Sequence, residues 1–257
     1  MEYYAYHTLH ELFLFGELTK RQWVNIFNCI QFVCVDFRRY KVEDSRIKTA
    51  LKEMYLTKIL QRLQQVKKDG RFTAFFSKSI QVNGIVYKAL DQIIKLIPFV
   101  VSEMLYDVNS FNIIHGDLCF SNIMVDSNYT FIKLIDPRGK FGSYDISGDF
   151  RYEMAKLFHS IDGKYDFIIK KLFTVDYDMG NAVINYFFSE NRRDYDLYKI
   201  FLEVFNCEIG ADIKKIELIE SLLFLSMIPL HGEDFEQQVI MLGRGIEILD
   251  RVVDIRV

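Results

Sequence analysis

Proline and glycine are scarce in this sequence, with 3 and 13 residues respectively among 257. Long flexible linkers rich in these residues are therefore excluded, and helix is the expected dominant structure. Half of the residues are hydrophobic, including 23 Phe and 15 Tyr, so the chain has ample apolar surface to bury and is not a disordered protein. The length and composition predict one compact domain over residues 1–257.

Cysteine is also scarce, and it shows no pairing pattern. The four cysteines are Cys29, Cys34, Cys119 and Cys207; they form no CxxC motif and have no histidines at metal-ligand spacing. A chain with this much core does not depend on disulfides, so a disulfide scaffold is not expected. The pattern favours a reducing compartment, and we expect the cytoplasm.

An excess of one charge and long apolar runs are both absent. The 32 basic and 35 acidic residues are interspersed, with a net charge of −3, and no basic stripe carries interleaved aromatics. Nucleic acid is therefore not an expected partner. The most apolar stretches, 93–104 and 219–230, are interrupted by charged residues or proline and fall short of the ~20 residues of a membrane span. We expect no membrane span and assign both stretches to buried core helices.

Hydrophobic periodicity predicts helices along most of the chain. The predicted helices cover residues 8–15, 19–40, 46–67, 87–106 and the segment from about residue 150 to the C-terminus. Thr8 followed by Glu11 is a capping-box pattern and marks the start of the first helix. Pro98 is expected to bend or interrupt the fourth helix, since proline removes a helical hydrogen bond.

Short strands are predicted at two places. Asn83-Gly84 separates residues 80–82 from residues 85–87, which is a strong hairpin signal because both turn positions need positive φ. Residues 123–125 and 131–135 are predicted to form two further strands, joined by a turn at 126–128. The expected fold class is therefore mainly α with a small β-hairpin component (α+β).

The second pair of predicted strands carries polar side chains at its ends. His115-Gly116-Asp117 opens a loop that reaches Asn122, five residues beyond Asp117, and Asp136 ends the second strand. A hairpin of this kind brings Asp136 back beside Asn122, so two oxygen ligands converge with Asp117 nearby. We therefore interpret residues 112–142 as a catalytic loop and metal-binding hairpin.

Hard oxygen ligands of this kind suit Mg²⁺, which keeps several waters and bridges the phosphates of a substrate. Asp117 would lie where it accepts the proton of a hydroxyl group that attacks a γ-phosphoryl group. Catalysis in such a site is mainly positioning and charge neutralisation. The residues thus predict Asn122 and Asp136 as Mg²⁺ ligands and Asp117 as the base of a phosphoryl transfer.

This spacing resembles the catalytic loop of the protein kinase superfamily, where a metal-binding asparagine follows the loop aspartate by five residues. His-Gly-Asp at 115–117 and Ile-Asp-Pro at 135–137 are similar to the aminoglycoside phosphotransferase and choline kinase branch, whose substrates are small molecules. The resemblance implies the same three roles for the aspartates and the asparagine. It also implies that His115 stabilises the loop.

Residues 148–157, Gly-Asp-Phe-Arg-Tyr-Glu-Met-Ala-Lys-Leu, resemble the Gly-Asp-Pro-x-Tyr-Asp-Leu-Ala segment of that branch. The resemblance implies that Asp149 opens a helix beneath the catalytic loop and receives backbone N–H bonds from this loop. Asp149 is therefore expected to support the loop rather than to take part in the chemistry. Phe150 stands where proline is usual, a position that needs only a good helix start.

A kinase of this family has a second, N-terminal lobe, whose glycine-rich loop and strand lysine hold the phosphates. No glycine-rich loop and no Val-Ala-Ile-Lys-like segment precede His115, and residues 1–7 resemble the hinge between the lobes. Backbone groups of Glu2 and Tyr4 would then recognise adenine. We expect a C-terminal lobe that begins at the hinge, with the N-terminal β lobe supplied elsewhere and little turnover by the chain alone.

The sequence is compatible with two functions. The first is an ATP-dependent phosphotransferase that acts on the hydroxyl of a small molecule such as a sugar, an aminoglycoside or a choline-like compound. The alternative is a non-catalytic kinase-like module that binds or regulates a partner. The retained Asp117, Asn122 and Asp136 favour the first, whereas the lack of the phosphate-binding lysine favours the second.

The acceptor site is less well defined by the sequence. His231 and Asp234, between two predicted helices, are candidates, because acidic side chains suit a cationic acceptor, although a plain interhelical loop is the simpler interpretation. Arg138 and Lys140 follow Asp136 closely. Contact with a phosphate or an anionic substrate and ordinary surface charge are equally good interpretations of these two cations.

Overall fold

The structure is a computed structural model, and it describes residues 6–190 and 193–257. Its helices are α1 (Leu9–Phe15), α2 (Lys20–Phe37), α3 (Ile47–Lys52), α4 (Lys58–Lys68), α5 (Thr73–Ser77), α6 (Leu90–Leu105), α7 (Phe150–Ile161), α8 (Tyr165–Ile169), α9 (Leu197–Val204), α10 (Asn206–Ile209), α11 (Ile213–Met227) and α12 (Phe235–Asp250). Its strands are β1 (His7–Thr8), β2 (Lys41–Val42), β3 (Ile80–Val82), β4 (Ile85–Tyr87), β5 (Phe111–Ile113), β6 (Ile123–Val125), β7 (Ile132–Leu134), β8 (Ser147–Gly148), β9 (Phe173–Asp178) and β10 (Val183–Phe188). The fold is α+β, as predicted.

The capping box predicted at the start of α1 is confirmed. The backbone N–H of Glu11 donates to Thr8 Oγ1 over 3.3 Å, and the Thr8 N–H donates to Glu11 Oε2 over 3.0 Å. Thr19 and Gln22 form a second capping box at the start of α2. Each box satisfies backbone donors that the first helical turn leaves unpaired, so both helices begin where the sequence predicted.

The helix predicted over residues 46–67 is confirmed in extent but is not uniform. A π turn at Glu53–Thr57 lies between α3 and α4, so the segment is helical from Ile47 to Lys68 with one widened turn. Such turns occur as single interruptions within α-helices, frequently at functional sites. Helix α6 begins three residues after the predicted start and contains Pro98.

A four-stranded sheet in order β4-β3-β10-β9 corrects the prediction of unbroken helix after residue 150. The hairpin of β3 and β4 has φ of 48° at Asn83 and 84° at Gly84, as the sequence predicted. Strands β9 and β10 form a second hairpin, and β10 pairs in parallel with β3. The helical prediction was wrong for these two strands.

Two small sheets position the loop that carries the polar motif. Strand β6 lies between β1 and β7, with Ile123 opposite Leu134 and Thr8 opposite Met124. Strand β5 lies between β2 and β8, with Ile113 opposite Ser147. The loop from Ile114 to Asn122 therefore leaves one sheet and enters the other.

Helix α7 is the central element of the domain, and every one of its residues is buried. It packs against α11, which in turn packs against α12. An ordinary surface helix buries only one stripe, so the polar residues of α7 must find their partners inside the protein. None of the described helices combines the length and the apolar character needed to cross a bilayer.

Candidate functional site

The loop from Ile114 to Asn122 makes a tight turn at Gly116. This glycine has φ of +78°, and a Cβ built on it would lie 3.0 Å from the Cβ of Arg138. Residues other than glycine rarely adopt this backbone conformation. The N–H of Arg138 also donates to the His115 carbonyl over 2.9 Å, so the loop is packed directly against the chain that follows Asp136.

The His115 side chain connects the loop to the end of β7. Its Nδ1 accepts the backbone N–H of Asp117 at 3.3 Å, which leaves Nε2 as the protonated nitrogen that donates to the Ile135 carbonyl at 2.9 Å. Burial lowers the pKa of His115, although the nearby carboxylates of Asp117 and Asp136 partly oppose that shift. A neutral ring with these two bonds fits the loop-stabilising role that the resemblance implies.

Glu153, rather than Asp149, receives backbone N–H bonds from the loop of residues 114–122. The N–H of His115 donates to Glu153 Oε2 over 3.0 Å, and the N–H of Gly116 donates to Oε1 over 2.6 Å. Asp149 does open α7, but its carboxylate accepts from Arg151 and from the hydroxyl of Tyr55. The expectation that Asp149 binds loop amides is therefore corrected, because the side chain one helical turn further on points at the loop.

Asp117 is held from two sides. Lys156 Nζ on α7 lies 2.8 Å from Asp117 Oδ1, and Asn122 Nδ2 donates to the Asp117 carbonyl at 2.8 Å and to Oδ2 at 3.2 Å. The Lys156 side chain is 10% exposed, whereas that of Asp117 remains 37% exposed. Burial alone would raise the pKa of Asp117, but the charges of Lys156 and then Arg138 hold it below the usual value.

The β6–β7 hairpin brings the backbone of Asp136 back beside Asn122, in the manner that the sequence predicted. The Ile135 N–H donates to the Asn122 carbonyl over 3.0 Å, and Asp136 follows directly as an exposed residue with φ of +54°. That backbone conformation is uncommon for residues other than glycine, and such conformations occur more often at functional sites than elsewhere. Two carboxylates and one amide thus border a single loop.

The side-chain oxygens of Asp117, Asn122 and Asp136 fit Mg²⁺ better than a metal whose ligands all come from the protein. Among residues 6–190 and 193–257, no three His, Cys, Asp or Glu side chains cluster closely enough to hold a metal by themselves. Asn122 turns its amide nitrogen toward Asp117, so Oδ1 is the atom left to face a cation. Mg²⁺ commonly takes one or two protein oxygens and fills its remaining positions with water and phosphate.

The structure does not bring His231 or Asp234 to this loop. The His231 ring packs edge-on against Tyr165, with 6.3 Å between the centroids. Asp234 caps α12 by accepting the Gln237 N–H at 3.1 Å and forms an ion pair with Lys171. Among the described contacts, neither residue touches the loop.

The predicted hinge is mostly outside the described residues. Glu2 and Tyr4 both fall there, so their assignment stays a prediction. His7, the last residue of this segment, forms β1 together with Thr8 and pairs with β6.

Glu153 and Lys156 were not predicted from the sequence. Together with Ser160, whose Oγ accepts the Phe120 N–H at 3.2 Å, they lie three to seven residues apart on one face of α7. A recurring polar residue in an otherwise apolar helix was the available signal. We call these three residues the loop support.

Comparisons with known proteins find a distant structural similarity and no match by sequence. No protein-family model matches the sequence, and no curated protein matches it. Among solved structures, the chain is similar to choline kinase from Cryptosporidium parvum Iowa II, with 11% sequence identity and a TM-score of 0.39 over 96% of this chain and 67% of that chain. A similarity this distant assigns neither activity nor substrate.

Proposed function

We propose that this protein transfers the γ-phosphoryl group of ATP to a hydroxyl group of a small molecule. The observation that carries the proposal is the meeting of Asp117, Asn122 and Asp136 at one loop and the hairpin that follows it. Two carboxylates and an amide at this spacing are the protein groups that phosphoryl transfer uses to position a hydroxyl and a metal–nucleotide complex.

Each residue has a separate part in this reaction. Asn122 Oδ1 and the Asp136 carboxylate would hold Mg²⁺, which when bound supplies charge neutralisation to the phosphates. Asp117 would orient the acceptor hydroxyl and take its proton. The hydroxyl oxygen forms a bond to the γ-phosphorus, and the bond from that phosphorus to the bridging oxygen breaks, so that ADP leaves with the electron pair.

One residue that holds the loop supports this assignment. Glu153 accepts the backbone N–H groups of His115 and Gly116, directly before Asp117, and so fixes the position of the proposed base. The acceptor remains one of those that the sequence resemblance suggests, a sugar, an aminoglycoside or a choline-like alcohol. The proposal keeps the expectation that a companion N-terminal lobe covers the nucleotide.

Metal-dependent nucleotide binding tests the metal site without requiring turnover. Mn²⁺ in place of Mg²⁺, titrated by electron paramagnetic resonance in the presence of a non-hydrolysable ATP analogue, reports the complex directly. We expect Asp136→Asn to weaken binding about tenfold or more, in line with the loss of one charged ligand. Asp145→Asn changes an exposed aspartate in the chain that follows and is the matched control. Equal binding by both variants would remove Asp136 from the site.

A second candidate is a non-catalytic kinase-like module, and one observation favours it. Asp117 is already paired with Lys156, and its lowered pKa makes it a weak proton acceptor. Phosphoryl transfer from γ-labelled ATP to hydroxyl compounds, measured with the companion lobe present, separates the two. Metal–nucleotide binding without transfer to any acceptor would favour the module.

A further inference from the structure

A cavity of about 500 Å³ opens beside the candidate site. Of the described residues that line it, three are cations (Lys58, Arg138 and Lys140) and one, Glu53, is an acid. A volume of this size suits a small ligand, since ligand pockets range over roughly 300–1,000 Å³. The cavity thus combines a suitable size with an excess of positive charge.

The cavity lies next to Asp117. Arg138 lines the cavity, and its charge lowers the pKa of Asp117, while the Asp117 carboxylate in turn acts to raise the pKa of Lys58. Arg138 is also bonded through its N–H to the His115 carbonyl. A molecule bound in the cavity would therefore lie within electrostatic reach of the predicted base.

Both walls of the cavity are held in place. One wall is the π turn with the start of α4, which contributes Glu53, Thr57 and Lys58. The other is the chain after Asp136, which packs closely on α3: a Cβ at Gly142 would lie 2.8 Å from that of Ala50. The widened helical turn is thus not an isolated irregularity but one side of a built pocket.

Arg138 is held in place by a hydrogen bond, and Lys58 lies among several other positive charges. Arg138 Nη1 donates to the Tyr152 hydroxyl over 2.6 Å. Burial lowers the pKa of Lys58 to about 7, and the charges of Arg138, Arg62 and Lys156 add to that effect against the opposing pull of Asp117. Positive charges kept together against their mutual repulsion are a feature of functional sites, because a bound anion relieves the repulsion.

We propose that this cavity is the acceptor site and binds a small hydroxyl compound through a phosphate group that the compound carries. This inference rests on the phosphoryl-transfer function proposed above and narrows its acceptor. A dianionic group satisfies three cations better than a single carboxylate does, and a cationic acceptor such as choline or an aminoglycoside would be repelled. The hydroxyl that reacts would then face Asp117.

Isothermal titration calorimetry at pH 6.5, where Lys58 is charged, tests the site with glucose 6-phosphate as the probe and with glucose and choline as neutral and cationic comparisons. We expect glucose 6-phosphate to bind at least ten times more tightly than either. Lys58→Gln and Lys140→Gln should each weaken it several-fold, and Arg138→Gln about tenfold. Lys48→Gln, on α3 and outside the cavity, should not change the affinity. Circular dichroism establishes that each variant is folded.

Three results would overturn the inference. The first is unchanged affinity in both Lys58→Gln and Lys140→Gln, and the second is tighter binding of choline than of the phosphate probe. The third is competition between the probe and a non-hydrolysable ATP analogue with Mg²⁺, which would assign the cations to the donor phosphates. Probe binding that needs Lys58 and Arg138, with no transfer to any acceptor, would retain the anion site and remove the catalytic proposal instead.

Discussion

Two regions of the molecule contain clusters of polar and charged side chains that are mostly buried, and the partners of these side chains differ. The loop support, Glu153, Lys156 and Ser160, bonds to the backbone and side chains of the 114–122 loop. A second region, which we call the ion-pair cluster, consists of Asp162, Glu217, Arg244, Glu247 and Arg251. Its charges pair with one another between the end of α7, α11 and α12.

The difference shows that buried charge does not by itself mark a functional site. In the ion-pair cluster, Arg244 pairs with Asp162 at 3.3 Å and Glu247 at 3.1 Å, and Arg251 pairs with Asp162 at 2.7 Å, so both cations have their acidic partners within the cluster. In the loop support, the partners belong to a loop whose Asp117 remains partly exposed beside a cavity. What distinguishes a site is where the partner atoms lie.

Removing the carboxylate of Glu153 should have the largest effect. Glu153→Ala leaves two buried loop amides without an acceptor, and each unpaired group costs about 1–3 kcal/mol. We expect the free energy of unfolding, measured by urea denaturation, to fall by about 2–6 kcal/mol. Glu153→Gln retains an oxygen for one amide and should lose less. Equal losses in the two variants would show that the loop amides find other partners.

The proposed phosphoryl transfer should depend on the 114–122 loop and not on the ion-pair cluster. When the companion N-terminal lobe is present and phosphoryl transfer is measurable, Asp117→Asn should lower kcat by about 10²–10⁴, the usual contribution of a positioned base. The variant keeps the shape of the side chain and removes its charge. Glu217→Gln in the ion-pair cluster is the control and should leave kcat near that of the unaltered protein. If the two variants behaved alike, Asp117 would not be the base.

The pH dependence of stability should separate Glu153 from other carboxylates. Burial raises the pKa of Glu153 from 4.5 to about 7, despite its two amide bonds. The stability it contributes is then fully present below pH 4.5 and is lost as pH rises through about 7. The full loss corresponds to roughly 3 kcal/mol.

Urea unfolding at pH 5 and pH 8 measures this loss. The unaltered protein should lose more stability between these pH values than Glu153→Gln does, because the amide does not titrate. Identical slopes would mean that Glu153 has the same pKa in the folded and unfolded states.

The smallest effect is expected at Glu220, which is buried between the ion-pair cluster and α7. Neither of its carboxyl oxygens has a partner among the described residues, and burial raises its pKa well above the usual value. Glu220→Leu replaces an unpaired polar group by an apolar one and should raise the free energy of unfolding by up to about 1 kcal/mol. A loss of 2 kcal/mol or more would show that this carboxyl group has a structural role comparable to that of Glu153.

Local sequence signals were sufficient to predict those features whose hydrogen bonds join neighbouring residues. The capping box at Thr8 and Glu11 and the Asn83-Gly84 turn were predicted correctly, because the groups that bond lie within a few residues of one another. Strands β9 and β10 were missed although Phe-Thr-Val-Asp-Tyr-Asp at 173–178 alternates apolar and polar residues, which is a local strand signal that the prediction of continuous helix passed over. The pairing that lies beyond any local signal is that of β10 with β3, about 100 residues earlier, where Ile184 lies opposite Val82. No local pattern reports such a pairing.

For the candidate site, the sequence by itself determined the spacing of Asp117, Asn122 and Asp136 and the hairpin between the last two. Only the tertiary structure decided which side chains hold that loop. Glu153 and Lys156 lie more than 30 residues beyond it and reach it because α7 is packed at the centre of the domain. The same packing places α3 and the π turn against the chain after Asp136 and so forms the basic cavity. Burial and charge pairing over such distances depend on the whole fold, because they arise only when separate elements are brought together.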